Sequence, residues 1–400
     1  MAVLLFGGLF GGGCTPDRSF SKRLNAITKP YRFNFINWEF YALKAVLDRK
    51  EATDDDVTKV SQYFDAVKRI NHLKAEIAAI KAGNRPGELA PLEAELARLQ
   101  QQAGSLESTV EVTLERQIRD TLAEQGIFNP IDKYLRLRLI FPPPSFLIDD
   151  PPHMLVVSPR DRIDIIREIM LRQDLSVEEM ESIEARVDKF NVSSLVVELG
   201  GLATFPSFVT NKGELRFTLD TAGEEWVHKY LLFKPLGFKY LLEKLGITHD
   251  YDIVTINETV ASMVGKEIGG IVYQKYYDDS GTEPEPKETG FDFNREMREI
   301  RRAVDEYLAR GEIEQAEEFM EQKRQYLAAN GYYLRKLNQA YFAFHGAYAD
   351  SPTSISPIGA ELKQLRSQSK SLKEFLDTVA SVTSRRDLME TASKEATPPG

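Results

Sequence analysis

The clearest pattern in this 400-residue chain is a helical spacing of apolar residues in its first third. Steps of three and four residues separate the apolar positions Val57, Val60, Phe64, Val67, Ile70, Leu73, Ile77 and Ile80, and the same spacing returns at Leu92, Leu96, Leu99, Ala103, Leu106 and Val110. Acidic residues 54–56 can cap the first helix, and the glycines and proline of residues 83–87 break the pattern. The spacing predicts an antiparallel helical hairpin over about residues 54–122, which projects from the body as a spacer or packing element without chemistry of its own.

Shorter apolar patterns on both sides of this hairpin predict further helices. Residues 38–47 favour a helix, and so do residues 159–172 and 176–189. The last of these starts with Ser176 and has Glu179 three residues later, which is the spacing of a capping box. Prolines are concentrated in residues 141–152, where they exclude regular helix and indicate a boundary in the chain.

After residue 190 the pattern changes from a helical to a β-type composition. Residues 194–209 and 214–219 predict two β segments, with turn residues 211–213 between them. Helices are predicted from Thr221 and from Asn257 onwards, and the acidic segment 276–290 is predicted to be an exposed loop. Residues 291–345 predict two long charged helices, and the residues from Thr391 predict a disordered tail.

The predicted fold class is therefore mainly α with a small β-sheet (α+β). The predicted organisation is a signal segment at residues 1–14, an N-terminal helical region at 15–140 that contains the hairpin, a second domain at 141–390 and a tail at 391–400. A hydrophobic content of 42% is normal for a chain with a buried core.

Charge and rare residues narrow the classes of function. A net charge of −10 provides no broad basic surface for phosphates and argues against a nucleic-acid partner. The single cysteine, Cys14, excludes an internal disulfide framework and a cysteine-based zinc finger. Only five histidines are present, so any metal site has to rely on carboxylates as well.

The first fourteen residues are apolar and too short to span a bilayer as a helix. Small residues directly before Cys14 and polar residues after it resemble the signal of a bacterial lipoprotein. That resemblance implies export, lipidation of Cys14 and anchoring to the outer face of a bacterial membrane. The match lacks a Lys or Arg before the apolar run, and the alternative is an apolar N-terminus with an incidental cysteine.

The candidate chemistry lies in a short acidic segment of the helix that follows Thr221. On a helix, Glu224 and His228 are one turn apart and point the same way, so both can bind one metal ion. Glu225 is offset by about 100° and can flank the open coordination position. Taken alone, two acids and a histidine on a helix more commonly form a solvated face.

Two further segments give this helix a family resemblance. Glu224, Glu225 and His228 resemble the His-Glu-x-x-His helix of zincins, with Glu224 at the position of the first histidine. Asn257 and Glu258 lie about thirty residues later and resemble the Asn-Glu-x-x-Ala helix from which gluzincins supply a third ligand. The β segment that ends at Val209 occupies the place of the edge strand that binds an extended peptide in these enzymes.

A third segment, residues 337–376, is similar to the closing region of bacterial aminopeptidases of the gluzincin class. The resemblance implies a zincin-like domain that hydrolyses peptides with zinc held by Glu224, His228 and Glu258. It also implies that Glu225 is the general base and that Tyr348 or His345 stabilises the oxyanion. For Tyr348 and His345 the alternative is packing within an aromatic-rich helix.

The glutamate at position 224 departs from the family pattern and leaves three hypotheses open. An additional anionic ligand lowers the effective charge of the metal ion, and a further oxygen donor shifts preference from zinc toward a harder ion such as Mn²⁺. The chain is then an active peptidase, a non-catalytic descendant that binds peptides or a protein partner at the cell envelope, or an anchored helical spacer. The spacer hypothesis requires that residues 224, 228 and 258 do not converge.

Overall fold

The computed structural model describes residues 18–49, 56–82, 85–131, 138–277 and 290–395. Within these ranges the chain is mainly helical and has two three-stranded sheets, which confirms the predicted α+β class. The predicted signal segment and Cys14 lie outside the described residues. No helix in the described ranges is long and apolar enough to cross a membrane.

Four helices form the N-terminal part of the described chain. They are α1 (Arg18–Thr28), followed by a short 3₁₀ turn (Lys29–Tyr31), α2 (Phe35–Leu47), α3 (Asp56–Lys81) and α4 (Leu89–Glu124). Helices α3 and α4 pack along each other, so the predicted helical hairpin is present. Ion pairs between Arg69 and Glu95 (2.9 Å) and between Lys81 and Glu93 (2.9 Å) join its two helices.

The second half of α4 does not project from the body as the sequence predicts. Val110, Leu114, Ile118 and Leu122 are all fully buried, and they belong to the same hydrophobic cluster as the helices of the C-terminal half. The hairpin is therefore anchored by one of its helices in the main core. Its apolar spacing predicts a packed face but does not say whether the partner is the other helix or the body.

The first sheet contains a hairpin where a helix is predicted. Its strands are β2 (His153–Pro159), β3 (Arg167–Leu171) and β4 (Val192–Val197), in the order β3-β2-β4 with antiparallel pairing throughout. The helix predicted at residues 159–172 is therefore wrong. The isoleucines at 165, 166 and 169 have helical spacing, but they are β-branched, and Ile166 and Ile169 bond to or pair with the buried strand β2, so tertiary pairing outweighs the local pattern.

Helix α5 (Val177–Asp188) covers this sheet and agrees with the prediction for residues 176–189. Ser176 accepts a hydrogen bond from the Glu179 backbone N–H, and the Glu179 side chain accepts one from the Ser176 N–H, so the predicted capping box is formed.

The second sheet is small, and the segment that ends at Val209, which is predicted to be an edge strand, is its middle strand. It consists of β1 (Phe146–Ile148), β5 (Gly201–Leu202) and β6 (Ser207–Val209) in the order β1-β6-β5. The β segment predicted at residues 214–219 is wrong, because helix α6 (Leu215–Leu231) already begins there. Leu215, Leu219, Ala222 and Trp226 follow helical steps along one apolar face, which continues through the predicted start at Thr221.

Eight further helices complete the described chain after α6. They are α7 (Pro235–Lys244), α8 (Tyr251–Tyr276), α9 (Phe293–Ala309), α10 (Ile313–Ala329), α11 (Gln339–Gly346), α12 (Ile358–Gln368), α13 (Leu372–Val379) and α14 (Arg385–Glu395). Helix α8 starts before Asn257, where its start is predicted, because the Asp250 side chain caps it.

Two predictions for the C-terminal part need correction. Residues 291–345 contain three helices, since α10 ends before Gly331, whose positive φ of 90° favours glycine. Residues 391–395, predicted to be part of a disordered tail, belong to α14.

Candidate metal site

Helices α6 and α8 cross at two glycines, and this crossing positions the candidate site. A Cβ atom on Gly223 would lie 3.0 Å from the Gly265 carbonyl oxygen, and one on Gly265 would lie 2.6 Å from the backbone nitrogen of Glu224. Only glycine permits the two backbones to approach so closely. Glu258 precedes Gly265 by two helical turns and so lies on the same face of α8, toward α6.

Glu224, His228 and Glu258 converge as the sequence predicts. One ligand atom from each side chain lies within 4.8 Å of the ligand atoms of the other two. Glu258 is buried and the other two residues are half-buried. Among the described residues, no other three acidic, histidine or cysteine side chains meet in this way. The group can hold a metal ion. The spacer hypothesis requires that these three residues do not converge, and this condition is not met.

The imidazole of His228 is oriented by groups that the sequence did not suggest. Its Nδ1 lies 2.9 Å from the Asn257 side-chain oxygen and donates a hydrogen bond to it, and its ring stacks on Tyr240 at 5.6 Å. The other nitrogen, Nε2, therefore faces Glu258 at 3.3 Å. A histidine that donates one ring N–H to a fixed oxygen and presents the other nitrogen to a ligand is typical of metal sites.

Glu258 is held in its charged form by three neighbours. Burial alone would raise its pKa, but His228, then Lys244 and Tyr240 lower the pKa to about 2. The Tyr240 hydroxyl donates a hydrogen bond of 2.6 Å to one carboxylate oxygen, and the Lys244 ammonium lies 3.9 Å from the same oxygen. The second carboxylate oxygen is the one that faces His228.

Glu224 differs from Glu258 because its carboxylate has no hydrogen bond or ion pair among the described residues. Burial, followed by the charges of Glu225 and Glu258, raises its pKa to about 8 against the opposing effect of His228. Three glutamates thus share one desolvated space. Protons or a cation must neutralise part of this charge, because an unpaired buried carboxylate is strongly disfavoured.

His228 carries the opposite charge in this arrangement. Burial would lower its pKa, whereas Glu258, through charge and hydrogen bonding, and then Glu225 and Glu224 raise it to about 9. A metal ion has to displace that proton, since only neutral imidazole is a ligand.

Glu225 lies beside the edge strand β5 and next to the three candidate ligands. A Cβ atom on Gly201 would overlap with the Glu225 carboxylate and would lie 2.6 Å from the Thr221 methyl carbon, so glycine gives the side chain its room. Burial raises the pKa of Glu225 to about 7, with His228 lowering it and Glu258 raising it. This value is suited to a group that exchanges a proton near neutral pH.

The two predicted oxyanion donors are separated. Tyr348 lines the same cavity as Glu225, His228 and Glu258, and burial, followed by the charges of the three glutamates, raises the pKa of its hydroxyl well above the usual value. It therefore keeps its proton at neutral pH. His345 instead lies in a second cavity against Tyr341, with a ring distance of 4.3 Å, and burial lowers its pKa to about 4. The packing alternative describes His345 better.

The cavity at the site has an apolar wall and a polar end. Its volume is about 110 Å³. The apolar wall includes Phe35, Met154, Met170, Leu199, Leu202 and Phe344. At the polar end, the Lys244 ammonium pairs with Glu168 on β3 at 2.8 Å. Tyr240, Lys244 and Glu168 were not predicted as site residues, since nothing in their local sequence links α7 or β3 to Glu258.

The donor set fits a divalent cation. Carboxylate oxygen and imidazole nitrogen both bind zinc, and two carboxylates in three ligands also suit Mn²⁺. No family model, curated protein or solved structure matches this chain. The chemistry of the site therefore has to be inferred from the residues that form it.

Proposed function

We propose that this chain is a zincin-like protein of the gluzincin type, in which Glu224, His228 and Glu258 hold one divalent metal ion and Glu225 acts on a peptide substrate. The observation that carries this proposal is the convergence of the three ligand side chains from two crossing helices. The position of Glu225 between these ligands and an edge strand supports it. The helical hairpin is then an insertion that precedes the zincin-like core.

A metal ion bound here, zinc or Mn²⁺, supplies Lewis-acid chemistry that activates water and polarises a carbonyl group. Glu225 can accept a proton and return it to the leaving amine, because its pKa of about 7 allows both states near neutral pH. Tyr348 can donate a hydrogen bond to an oxyanion, because its hydroxyl remains neutral. Asn257 and Tyr240 fix the orientations of His228 and Glu258.

The apolar wall of the cavity indicates which kind of substrate side chain the cavity can accept. A volume of about 110 Å³ is suited to one aliphatic or thioether side chain, since a cavity of about 150 Å³ accepts benzene. The edge of β5 at Gly201 and Leu202 can pair with an extended peptide. We therefore expect a peptide with an apolar residue at the position that enters this cavity.

A second candidate function is peptide binding without hydrolysis. It is favoured by the direct contact of 3.3 Å between His228 and Glu258, which allows these two groups to satisfy each other. Glu224 in place of a histidine also increases the negative charge around any bound ion. In this case the cavity and the edge strand still bind peptides at the cell envelope.

The two candidates are separated by a hydrolysis assay and a binding assay on the same protein. The purified chain, loaded with zinc or Mn²⁺, is tested against peptides that carry leucine, aspartate or lysine at each position. Catalysis predicts cleavage next to leucine, its loss in Glu225→Gln with the metal content unchanged, and normal cleavage in the exposed control Glu181→Gln. Leucine-dependent binding without cleavage by the parent under either metal rejects catalysis and supports the second candidate.

A further inference from the structure

The outer face of helix α2 exposes a continuous stripe of large apolar side chains. Ile36, Phe40, Leu43 and Leu47 are separated by four, three and four residues and so lie on one side of the helix. Their exposed fractions are 64%, 74%, 37% and 82%. Tyr41, exposed to 65%, lies beside them. This set of residues is called the α2 stripe below.

The inner face of α2 accounts for the contacts of this helix with the protein. Phe35, Trp38 and Ala42 are buried, and Trp38 stacks on Phe208 of β6 at 3.8 Å. The α2 stripe therefore contributes nothing to the packing of the described core. Removing large apolar side chains from water is favourable, and a contiguous exposed patch of them marks an interaction surface.

The charge of the surrounding chain favours one class of partner. Apart from Arg49, which is buried against Glu111 and Glu115, residues 18–49 contain six Lys or Arg residues and two acidic residues, although the whole chain has a net charge of −10. Lys22, Lys29 and Lys44 are exposed, and Lys44 lies on α2 itself. A helix with bulky apolar residues, a tyrosine and nearby lysines matches the chemistry of an anionic membrane surface, which takes up the apolar face and attracts the basic groups.

The position of α2 in the sequence supports the same partner. Cys14, the residue predicted to be lipidated, ends an apolar segment four residues before α1 begins, and a lipid at this position would keep α2 close to a membrane surface. We infer that the α2 stripe lies in the interface of an anionic phospholipid membrane. The inference does not depend on the metal site or on peptidase activity.

This placement has a consequence for the candidate site. Phe35 on the inner face of α2 lines the cavity that contains Glu225 and His228. The cavity thus lies beneath a helix whose opposite side contacts lipid. A helix with its side chains is about 10–12 Å across, so the proposed site is close to the membrane surface.

Vesicle binding by the non-lipidated protein tests the inference. The full chain with Cys14→Ser is mixed with vesicles of phosphatidylcholine alone or with phosphatidylglycerol added, and the bound fraction is measured by sedimentation. Binding to the phosphatidylglycerol vesicles is expected to fall at least tenfold when Ile36, Phe40 and Leu47 are all replaced by serine. The matched control replaces Phe238, Ile247 and Tyr333, exposed to 54%, 66% and 83%, and is expected to bind like the parent.

Every result either supports or overturns the inference. Equal binding by the α2 triple variant and the parent overturns it, and so does a parent that binds neither kind of vesicle. Loss of self-association in the α2 variant, measured by sedimentation velocity without lipid, also overturns it by assigning the stripe to a second protein copy. Circular dichroism of both triple variants verifies that a loss of binding is not a loss of fold.

Discussion

The protein contains two buried acidic clusters that look alike in composition but differ in how their charge is neutralised. The first is the candidate metal site, with Glu224, Glu225 and Glu258 around His228. The second, called the Arg49 cluster below, contains Glu107, Glu111 and Glu115 on α4 around Arg49 at the end of the α2 region. Each has three glutamates around a central basic side chain.

In the Arg49 cluster, protein groups bind the carboxylates of Glu111 and Glu115. Arg49 donates hydrogen bonds to Glu111 at 2.7 Å and to Glu115 at 2.6 Å. Glu115 also accepts from the Ser145 hydroxyl (3.2 Å) and the Phe146 N–H (2.9 Å), and Glu111 accepts from the Ile148 N–H (2.7 Å). These bonds attach strand β1 to helix α4, so the cluster has a structural role.

In the candidate site, one carboxylate is left without such hydrogen-bond partners. Glu258 is engaged by Tyr240 and His228, but Glu224 has no hydrogen-bond or ion-pair partner among the described residues. The difference shows that buried acidity by itself does not identify a metal site. What distinguishes the candidate site is a convergent set of carboxylate oxygen and imidazole nitrogen atoms that can bind one ion.

Removal of the only arginine from the Arg49 cluster should have the largest effect. Arg49→Met is expected to lower the free energy of unfolding by about 3–5 kcal/mol, because it leaves two buried carboxylates without their cation. Chemical denaturation measures this change. The control Arg69→Met removes the exposed partner of Glu95 and should leave the free energy of unfolding almost unchanged. Similar small losses in both variants would contradict the structural role.

The same substitution in both clusters sharpens the contrast. Glu115→Gln should lower the free energy of unfolding by about 1.5–3 kcal/mol, since it weakens charge-assisted hydrogen bonds to Arg49 and Phe146. Glu224→Gln should leave the stability of the metal-free protein unchanged or slightly higher, because it removes an unpaired charge. Denaturation at pH 8 with a chelator present compares the two, and equal destabilisation would remove the distinction between the clusters.

The glycine crossing offers a way to disturb the candidate metal site without changing any of its proposed ligands. Gly265→Ala places a methyl group 2.6 Å from the Glu224 backbone nitrogen. The expected cost is about 1–3 kcal/mol of stability, together with weaker metal binding as α6 and α8 move apart. Gly104→Ala on α4 meets no atom within 4 Å and should raise stability by about 0.5–1 kcal/mol. Unchanged metal affinity in Gly265→Ala would show that the crossing does not set the ligand spacing.

These variants also show which parts of the molecule the sequence could predict. The candidate ligands Glu224 and His228 share a helix and were found from their spacing, whereas Glu258 was found from the resemblance of its segment to the gluzincin helix. Apolar periodicity likewise predicted the hairpin helices and α5. The β2–β3 hairpin was missed because its isoleucines follow helical spacing, whereas their strand pairing depends on distant residues.

Other features depend on contacts that are remote in the chain and carry no local signal. Tyr240 and Lys244 reach Glu258 only because α7 packs next to α8. Tyr348 and His345 are three residues apart in sequence but line two different cavities, because α11 ends between them. The Arg49 cluster joins residues more than sixty positions apart.

The smallest expected effect is a pH dependence in the Arg49 cluster. Burial, followed by the charge of Asp149, raises the pKa of Glu107 to about 7, although Arg49 opposes this. The folded state therefore holds a proton that the unfolded chain releases near its ordinary pKa of about 4.5. Stability should fall as the pH rises from about 4.5 through 7.

Glu107→Gln cannot ionise, so its stability relative to the parent should increase by about 1 kcal/mol between pH 5 and pH 6. Urea denaturation at both pH values measures the difference, and the exposed control Glu181→Gln should follow the parent. A parallel pH profile for the parent and Glu107→Gln would contradict the assigned pKa shift.

The most direct test of the central claim is a calorimetric titration of the metal-free protein with zinc. The proposed site predicts one zinc ion bound per chain in the parent and in Glu115→Gln, with binding at least a hundredfold weaker in both Glu224→Gln and Glu258→Gln. Glu225→Gln, which alters no ligand, should still bind one ion. A parent that binds no zinc or Mn²⁺, or equal affinity in the parent and the two ligand variants, would contradict a metal site at Glu224, His228 and Glu258.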